Sequence, residues 1–575
     1  MDEVKEGKMM EKLPPQNPDS NMGDYEKAYS TFSWDDAEKT FEWSRTGKVN
    51  AAYEAVDRHV RTLGDRVALH YLDDEKEEKY TFRELSAASG RFANLLQDLG
   101  IVKGDRVFIF MPRSPELYIA FFGILKLGAI PVPVFEAFMR DGLLDRMGDC
   151  DPVAVVTSDT LKDRVPKDEI ASLKHVIVSG DTSGDEISFD EMRSKRGEFE
   201  PVWLDLEDPL LIHYTSGSTG KPKGVLHVQR AIVGHYQTGK WVLDLRDDDN
   251  YWCTADPGWV TGTSYGIFAP LLNGVGTIVR KGRFTARRWY ETIERARVTV
   301  WYTAPTALRL LMGEGEEVAS EFDLSSLRLI FSVGEPLNPE VIHWARRVYT
   351  QPIHDTWWMT ETGMIMISNY PSMPIKPGSM GKPFPGVEAA ILDDEGRMLG
   401  VNEVGNLVIK KGWPSMMKVI WGREEKFKEY FRFDPWFLTG DAAYMDEEGY
   451  FHFHGRVDDV INTSGERVGP FEVESRLVEH PVVVEAGVIG KPDPVRGEII
   501  KAFVVLKRGV DESEELKDEL IEFVKKGLAA HAAPREIEFV KHLPKTRSGK
   551  IMRRVLKAKE LGLELGDLSG AGEGV

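Results

Sequence analysis

The sequence predicts a multidomain α/β protein: a large N-terminal domain of parallel-sheet α/β subdomains plus a small β-barrel-like part, followed by a small α+β C-terminal domain. Three observations carry that expectation. A chain of 575 residues exceeds what one hydrophobic core serves, since domains run to roughly 100–200 residues. Strand-like and helix-like segments alternate through the earlier part of the chain, the pattern of crossover units in a parallel sheet. Beyond about residue 385 the texture turns to short alternating strands, and beyond Asp458 to strands beside an amphipathic helix.

Taken in order, the N-terminal stretch MDEVKEGKMMEKLPPQNPDS alternates acids and bases and lacks the apolar run of a secretory leader, so residues 1–30 are expected as a flexible tail. Thr81 with Glu84 three positions on reads as a capping box; apolar residues then recur at helical spacing until Gly100 closes the helix. The turn at Gly104 and Asp105 leads into the strand RVFIFM, a helix over 115–127 and the strand AIPVPVF. The apolar stretch 118–135 carries Lys126, Pro131 and Pro133, which suit a buried helix and strand better than a membrane span. VAVVTS, KHVIVSG, TVWYTAP and LRLIFSVG follow as strands, and RWYETIERARV as a helix. Turns at 394–396 and 447–449 punctuate the barrel-like part. VEAGVIG, IKAFVVL and the amphipathic ELKDELIEFVKKGL belong to the C-terminal unit, and 564–575 is expected as a disordered tail.

Composition excludes several classes. Apolar content of 42% and charged content of 29% are those of a folded globular protein. The formal charge of -20 argues against nucleic acid as a partner. Cys150 and Cys253 fit neither a disulfide framework nor a zinc spacing, so a reducing cytoplasm is the expected compartment.

The most specific stretch is YTSGSTGKPKG at 214–224, directly after the apolar run LLIH. Its glycines and hydroxyls can aim N–H and O–H groups at phosphate oxygens. It is not a Walker A loop, which would need a glycine where Pro222 stands. The loop is similar to the signature of the adenylate-forming superfamily, which includes acyl-CoA synthetases, peptide-synthetase adenylation domains and luciferases. TWWMTETG at 356–363, FLTGDAAYMDEEGYFHFHGRVDDVIN at 437–462 and LPKTRSGKIMRR at 543–554 resemble its further signatures in the family's order.

The resemblance implies ATP and coenzyme A as substrates, Mg2+ as cofactor, and two half-reactions. Residues 31–457 would bind ATP and the acyl group, and 458–563 would form a mobile domain. Lys550 resembles the catalytic lysine that bridges carboxylate and α-phosphate, and Glu361 the acid that holds Mg2+. Thr215, Ser216, Gly217, Ser218, Thr219, Gly220, Lys221 and Thr360 would line the phosphates. Gly334, Glu335, Pro336, Asp355, Thr356 and Trp357 would adjoin the nucleotide. Asp441, helped by Arg456, would grip the ribose, and Arg467 would contact phosphate. Asp458 resembles the hinge, and Ser464, Gly465 and Lys525 are candidates for coenzyme A.

Val260, Thr261, Val333 and Trp358 resemble the pocket of the superfamily's acetate-using synthetases, with the Trp358 indole closing the tunnel just past a methyl group. The implied activity is therefore AMP-forming ligation of acetate to coenzyme A through an acetyl adenylate, with domain rotation between steps. Met359 and Thr263 depart from the Gln and His expected there. A propionate-preferring or other short-chain synthetase is the nearest alternative. A domain loading a carrier protein, or an inactive nucleotide-binding protein, are alternatives of another class. An exposed Lys550 would also offer a target to a lysine-modifying enzyme.

Overall fold

The computed structural model describes residues 11–215, 222–463, 466–546, 550–565 and 568. Thr81 caps the helix Phe82–Asp98 reciprocally: its hydroxyl accepts from the Glu84 N–H, and Glu84 Oε2 accepts from the Thr81 N–H at 2.8 Å. The strand Arg106–Phe110, helix Pro115–Lys126 and strand Ile130–Pro133 form the expected crossover, their strands parallel in a five-stranded sheet. The helix is buried on every side, Lys126 included. Its ammonium is tolerated there because Asp57 Oδ1 lies 2.8 Å away and the Ser86 carbonyl accepts at 2.9 Å. Among the described residues no helix is long and apolar enough to cross a membrane.

A nine-stranded sheet forms the second layer system. Its parallel centre runs Ile353–Trp357, Leu329–Ser332, Val300–Thr303, Tyr251–Cys253, Thr277–Arg280 and Val67–Leu72. These short strands are buried along their whole length, as in sheets covered on both faces. Its carboxyl edge matters most, since ligands in such sheets sit beyond the carboxyl ends of the strands. The barrel-like part takes the form of a four-stranded antiparallel sheet, Ala389–Leu392, Gly405–Lys410, Trp436–Met445 and Phe451–Arg456. One turn beyond Arg456 begins a separate C-terminal sheet, with its own core around Ile461, Val473, Val488 and Leu520.

The expectation of a free tail over 1–30 fails for residues 11–30. Leu13 is buried and shares a backbone ladder with Ile375. The Asn17 side chain donates to Asp244 Oδ2 at 2.6 Å and the Asn21 N–H to Oδ1 at 2.7 Å, while Arg328 donates to the same buried carboxylate. Tyr25, also buried, donates its hydroxyl to the Pro383 carbonyl. Sparse anchors among charged residues gave the sequence no periodicity to read, and their partners lie far along the chain. Most of the expected tail over 564–575 lies outside the described residues.

Candidate active site

The strand Pro209–Thr215 runs antiparallel to Lys223–Val228, with Thr215 opposite Lys223, so the glycine-rich segment joins two strands of one hairpin. The sequence signalled the first strand and not the second. The Thr215 hydroxyl is buried and, among the described residues, without a partner, at the start of that segment. Ser216, Gly217, Ser218, Thr219, Gly220 and Lys221 lie outside the described residues.

Glu361 follows the strand Ile353–Trp357 at the carboxyl edge of the nine-stranded sheet. Its side chain is buried; Oε1 accepts from the Tyr430 hydroxyl at 3.1 Å, and that hydroxyl accepts from Lys223 Nζ at 3.0 Å. Burial pulls the Lys223 pKa below the ordinary lysine value, against the opposing pull of Glu361. No donor reaches Glu361 Oε2 among the described residues. A carboxylate with one oxygen fixed and one open fits Mg2+, a hard cation that takes few protein ligands beside substrate phosphates. Among the described residues no cluster of three metal-ligating side chains exists.

Two histidines bracket this loop. His227 Nε2 lies 2.8 Å from the Thr360 carbonyl and His235 Nε2 2.9 Å from the Gly363 carbonyl; a carbonyl only accepts, so both rings carry their proton on Nε2. Burial holds His227 down to about 4 and His235 down to about 3, where His227 adds repulsion. The folded chain therefore binds fewer protons than the unfolded chain below pH 6.5, and stability falls as pH drops through that window towards the folded values. His235→Gln keeps an N–H for Gly363 and removes the titration. Urea unfolding should show its loss of stability between pH 6.5 and 5 to be smaller than the wild type's by about 1.5 kcal/mol; an equal loss would contradict the assignment.

Asp441 and Arg456 face each other in register on adjacent strands. Arg456 donates to Asp441 Oδ1 at 2.7 Å and the Trp357 indole to Oδ2 at 2.9 Å. Each carboxylate oxygen keeps a second lone pair, enough to accept both hydroxyls of a ribose. Asp355 is buried, accepts from Ser332 Oγ at 2.5 Å, and is pushed by burial up to about 7. Thr356 spends its hydroxyl inside the sheet, donating to the Ser332 carbonyl and bonding Tyr302. Gly334 has φ +89° with open space where a Cβ would stand, so the backbone turns sharply and leaves room beside it. The Glu335 carboxylate is taken up by Thr306 and by Arg309 at 2.7 Å, so a nucleotide would meet the backbone of 334–336 and not this acid.

Trp358 is 9% exposed and shares a core cluster with Val333, against which Val260 packs. Its indole donates to Tyr302 at 3.1 Å and meets Tyr265 edge to face, centroids 5.0 Å apart. Val260 and Thr261 begin the short helix Val260–Thr263, where Thr263 bonds His213 Nε2 at 2.6 Å; Met359 packs on the same cluster. Trp358, Val333 and Val260 therefore belong to one core cluster, in which the ring of Trp358 is fixed by Tyr302 and Tyr265.

Lys550 is exposed. Its N–H donates to Thr546 Oγ1 at 3.0 Å and its carbonyl accepts from the Thr546 N–H at 2.7 Å, which closes the base of its loop. Arg553 is held by Glu474, lies 3.8 Å from Asp459 and feels Glu335. Asp458 occupies the exposed turn between the four-stranded and C-terminal sheets. Arg467 pairs with Asp394, and Lys525 with Glu522 on the surface of its helix. Ser464 and Gly465 lie outside the described residues. Sequence reasoning missed Tyr430, His227 and His235, which carry no recognisable spacing.

Glu361, reached from Lys223 of the hairpin through Tyr430, and Asp441, held by Trp357 at the end of the strand before Glu361, make an arrangement suited to a nucleotide-activating enzyme. Family models agree: residues 56–421 match the AMP-binding enzyme model and 472–550 the AMP-binding enzyme C-terminal domain. The chain belongs to the AMP-binding enzyme family. Among curated relatives it is similar to acetyl-coenzyme A synthetase of Bacillus subtilis, 60% identical over 97% of this chain and 98% of the relative. It is also similar to acetyl-coenzyme A synthetase of Methanothrix soehngenii, 44% identical over 95% and 87%. Among solved structures, an acyl-CoA synthetase of Brucella canis superposes with TM-score 0.74 at 38% identity, over 94% of this chain and 99% of that one. The anthranilate CoA ligase AuaEII, solved with anthranoyl-AMP, superposes with TM-score 0.82 at 31% identity, over 91% and 98%.

Proposed function

We propose that this chain is an AMP-forming acetyl-CoA synthetase, converting acetate, ATP and coenzyme A to acetyl-CoA, AMP and diphosphate. The observation that carries the choice of acid is Trp358, buried in the core cluster that also holds Val333 and carries Val260, and pinned to Tyr302. On the reading that this indole ends the acyl tunnel, a methyl group is accepted and a longer tail is not. Discrimination by one methylene is worth roughly 1–3 kcal/mol, so propionate is a slow second substrate.

In the first half-reaction an acetate oxygen forms a bond to the α-phosphorus as the bond to diphosphate breaks. Asp441 and Arg456 orient the ribose, and the hydroxyl and N–H groups of 215–221 orient the phosphates. Mg2+, when bound at Glu361, offsets charge on the phosphate oxygens. Lys550 brings an ammonium to the attacking carboxylate and the α-phosphate, where charge gathers. In the second half-reaction the thiol loses its proton, sulfur bonds to the acyl carbon and AMP leaves. Lys550 cannot occupy that approach during attack, so rotation about Asp458 withdraws it and presents 464–469, with Lys525 near coenzyme A and Arg467 exchanging phosphate for its present partner.

The exposed Lys550 also meets the steric requirement of a modifying enzyme, and acetylation would erase the charge the first step uses. The enzyme works in the cytoplasm, where two buried free thiols stay reduced. The testing experiment is acid-dependent AMP formation with ATP, Mg2+ and coenzyme A across acetate, propionate, butyrate and hexanoate. Acetate dominance supports the reading; preference for a longer acid removes the Trp358 argument, and no AMP from any acid removes the reaction.

A further inference from the structure

Tyr430 lies outside every motif that marks the site, in the loop after the short helix Glu424–Glu429, yet it is fixed from several sides. Its carbonyl accepts from the Leu438 N–H at 2.7 Å, and its ring stacks on Phe437 with centroids 5.4 Å apart and planes 7° apart. Lys223, from the second strand of the hairpin, places Nζ 5.5 Å from the ring centroid and 3.0 Å from the hydroxyl. The hydroxyl in turn lies 3.1 Å from Glu361 Oε1.

Elementary donor chemistry gives this chain of bonds one direction. An ammonium has only donors and an ionised carboxylate only acceptors. Lys223 therefore donates to the Tyr430 oxygen, and the Tyr430 proton is left facing Glu361. A tyrosine with one neighbour could rotate its proton away; this one has its acceptor side filled. Glu361 is 7% exposed, and among the described residues Tyr430 supplies its one side-chain hydrogen bond. The other oxygen is thereby left turned from the relay.

We propose that Tyr430 is a positioning residue: oriented by Lys223, it fixes Glu361 Oε1 so that Oε2 is presented to the metal ion carried by the nucleotide. This rests on the reading of Glu361 as the metal-facing carboxylate. Residues that orient a metal ligand typically cost 10- to 100-fold in metal affinity when lost, roughly, whereas a residue that only packs would disturb nucleotide binding with and without metal alike.

Tyr430→Phe keeps the ring on Phe437 and under Lys223 and removes only the hydroxyl. The experiment is calorimetric titration of the full-length protein, without acid or coenzyme A, by ATP alone and by Mn2+·ATP, with Mn2+ also followed by electron paramagnetic resonance. The variant should bind Mn2+·ATP about 10- to 100-fold more weakly than the wild type while binding metal-free ATP within about threefold. In the background Glu361→Gln, adding Tyr430→Phe should change Mn2+·ATP binding little, because both substitutions remove the same interaction. Unchanged Mn2+·ATP binding in Tyr430→Phe would overturn the proposal, as would equal losses with and without metal, or full additivity with Glu361→Gln. If Glu361→Gln itself binds Mn2+·ATP like the wild type, the reading of Glu361 fails and the proposal falls with it.

Discussion

Lys550→Ala should lower acetate-dependent ATP–pyrophosphate exchange by roughly 100- to 1,000-fold or more, since a preorganised donor aimed at developing charge is worth about that much. The same variant, supplied with acetyl adenylate and coenzyme A, should form the thioester at near the wild-type rate. The structure supports the asymmetry. Lys550 is exposed, and its two hydrogen bonds to Thr546 run through its backbone N–H and carbonyl, so removing the side chain leaves both in place. Meanwhile Arg553 is locked into Glu474, and this holds the base of the last helix whatever happens at 550. Stopped-flow or quenched assays of the two half-reactions check this directly. Equal losses in both would mean that Lys550 serves the thioester step too, or that its loop organises the domain as a whole.

Trp358→Gly should reverse the order of acids. The substitution removes the indole from the core cluster that holds Val333 and carries Val260, and leaves Tyr302 bonded to Thr356. Acetate would lose its closed pocket, with kcat/KM falling about 100-fold, while hexanoate would gain a tunnel and become a substrate. A 100-fold loss is about 2.7 kcal/mol, the worth of one or two methylene-sized contacts at roughly 1–3 kcal/mol each. Removing a buried indole also costs about 3–5 kcal/mol of stability, so kcat/KM across the acid series, and not activity with acetate alone, is the measurement to make. Retained acetate preference with no gain for hexanoate would show that another residue closes the pocket.

The parts legible beforehand were local ones. A capping box is written within four residues, and Thr81 and Glu84 form it as their spacing requires. Crossover strands and helices declare themselves by periodicity, and the strand Leu329–Ser332 lies within the run LRLIFSVG that the alternation marks, whereas the strand Ile353–Trp357 drew no such expectation. The motif residues Glu361, Asp441 and Trp358 were recognisable for the same reason, each carried in a short run of fixed chemistry. Glu335 was named with its segment, but its side chain is occupied by Arg309, a contact across 26 positions.

The sequence by itself determined the class of fold and the order of its parts, because those follow from composition, period and short-range pattern; the charged groups proposed to face the nucleotide were named through the resemblance of short motifs. Only the tertiary structure decided that the N-terminal segment is fastened down on Asp244, that His227 and His235 bracket the Glu361 loop as neutral donors, and that Tyr430 joins Lys223 to Glu361. Tyr430 and Glu361 are 69 positions apart, and the physical reason is the same in each case. A buried polar group takes whichever partner the packing of distant elements brings within about 3 Å, and no local spacing records that choice.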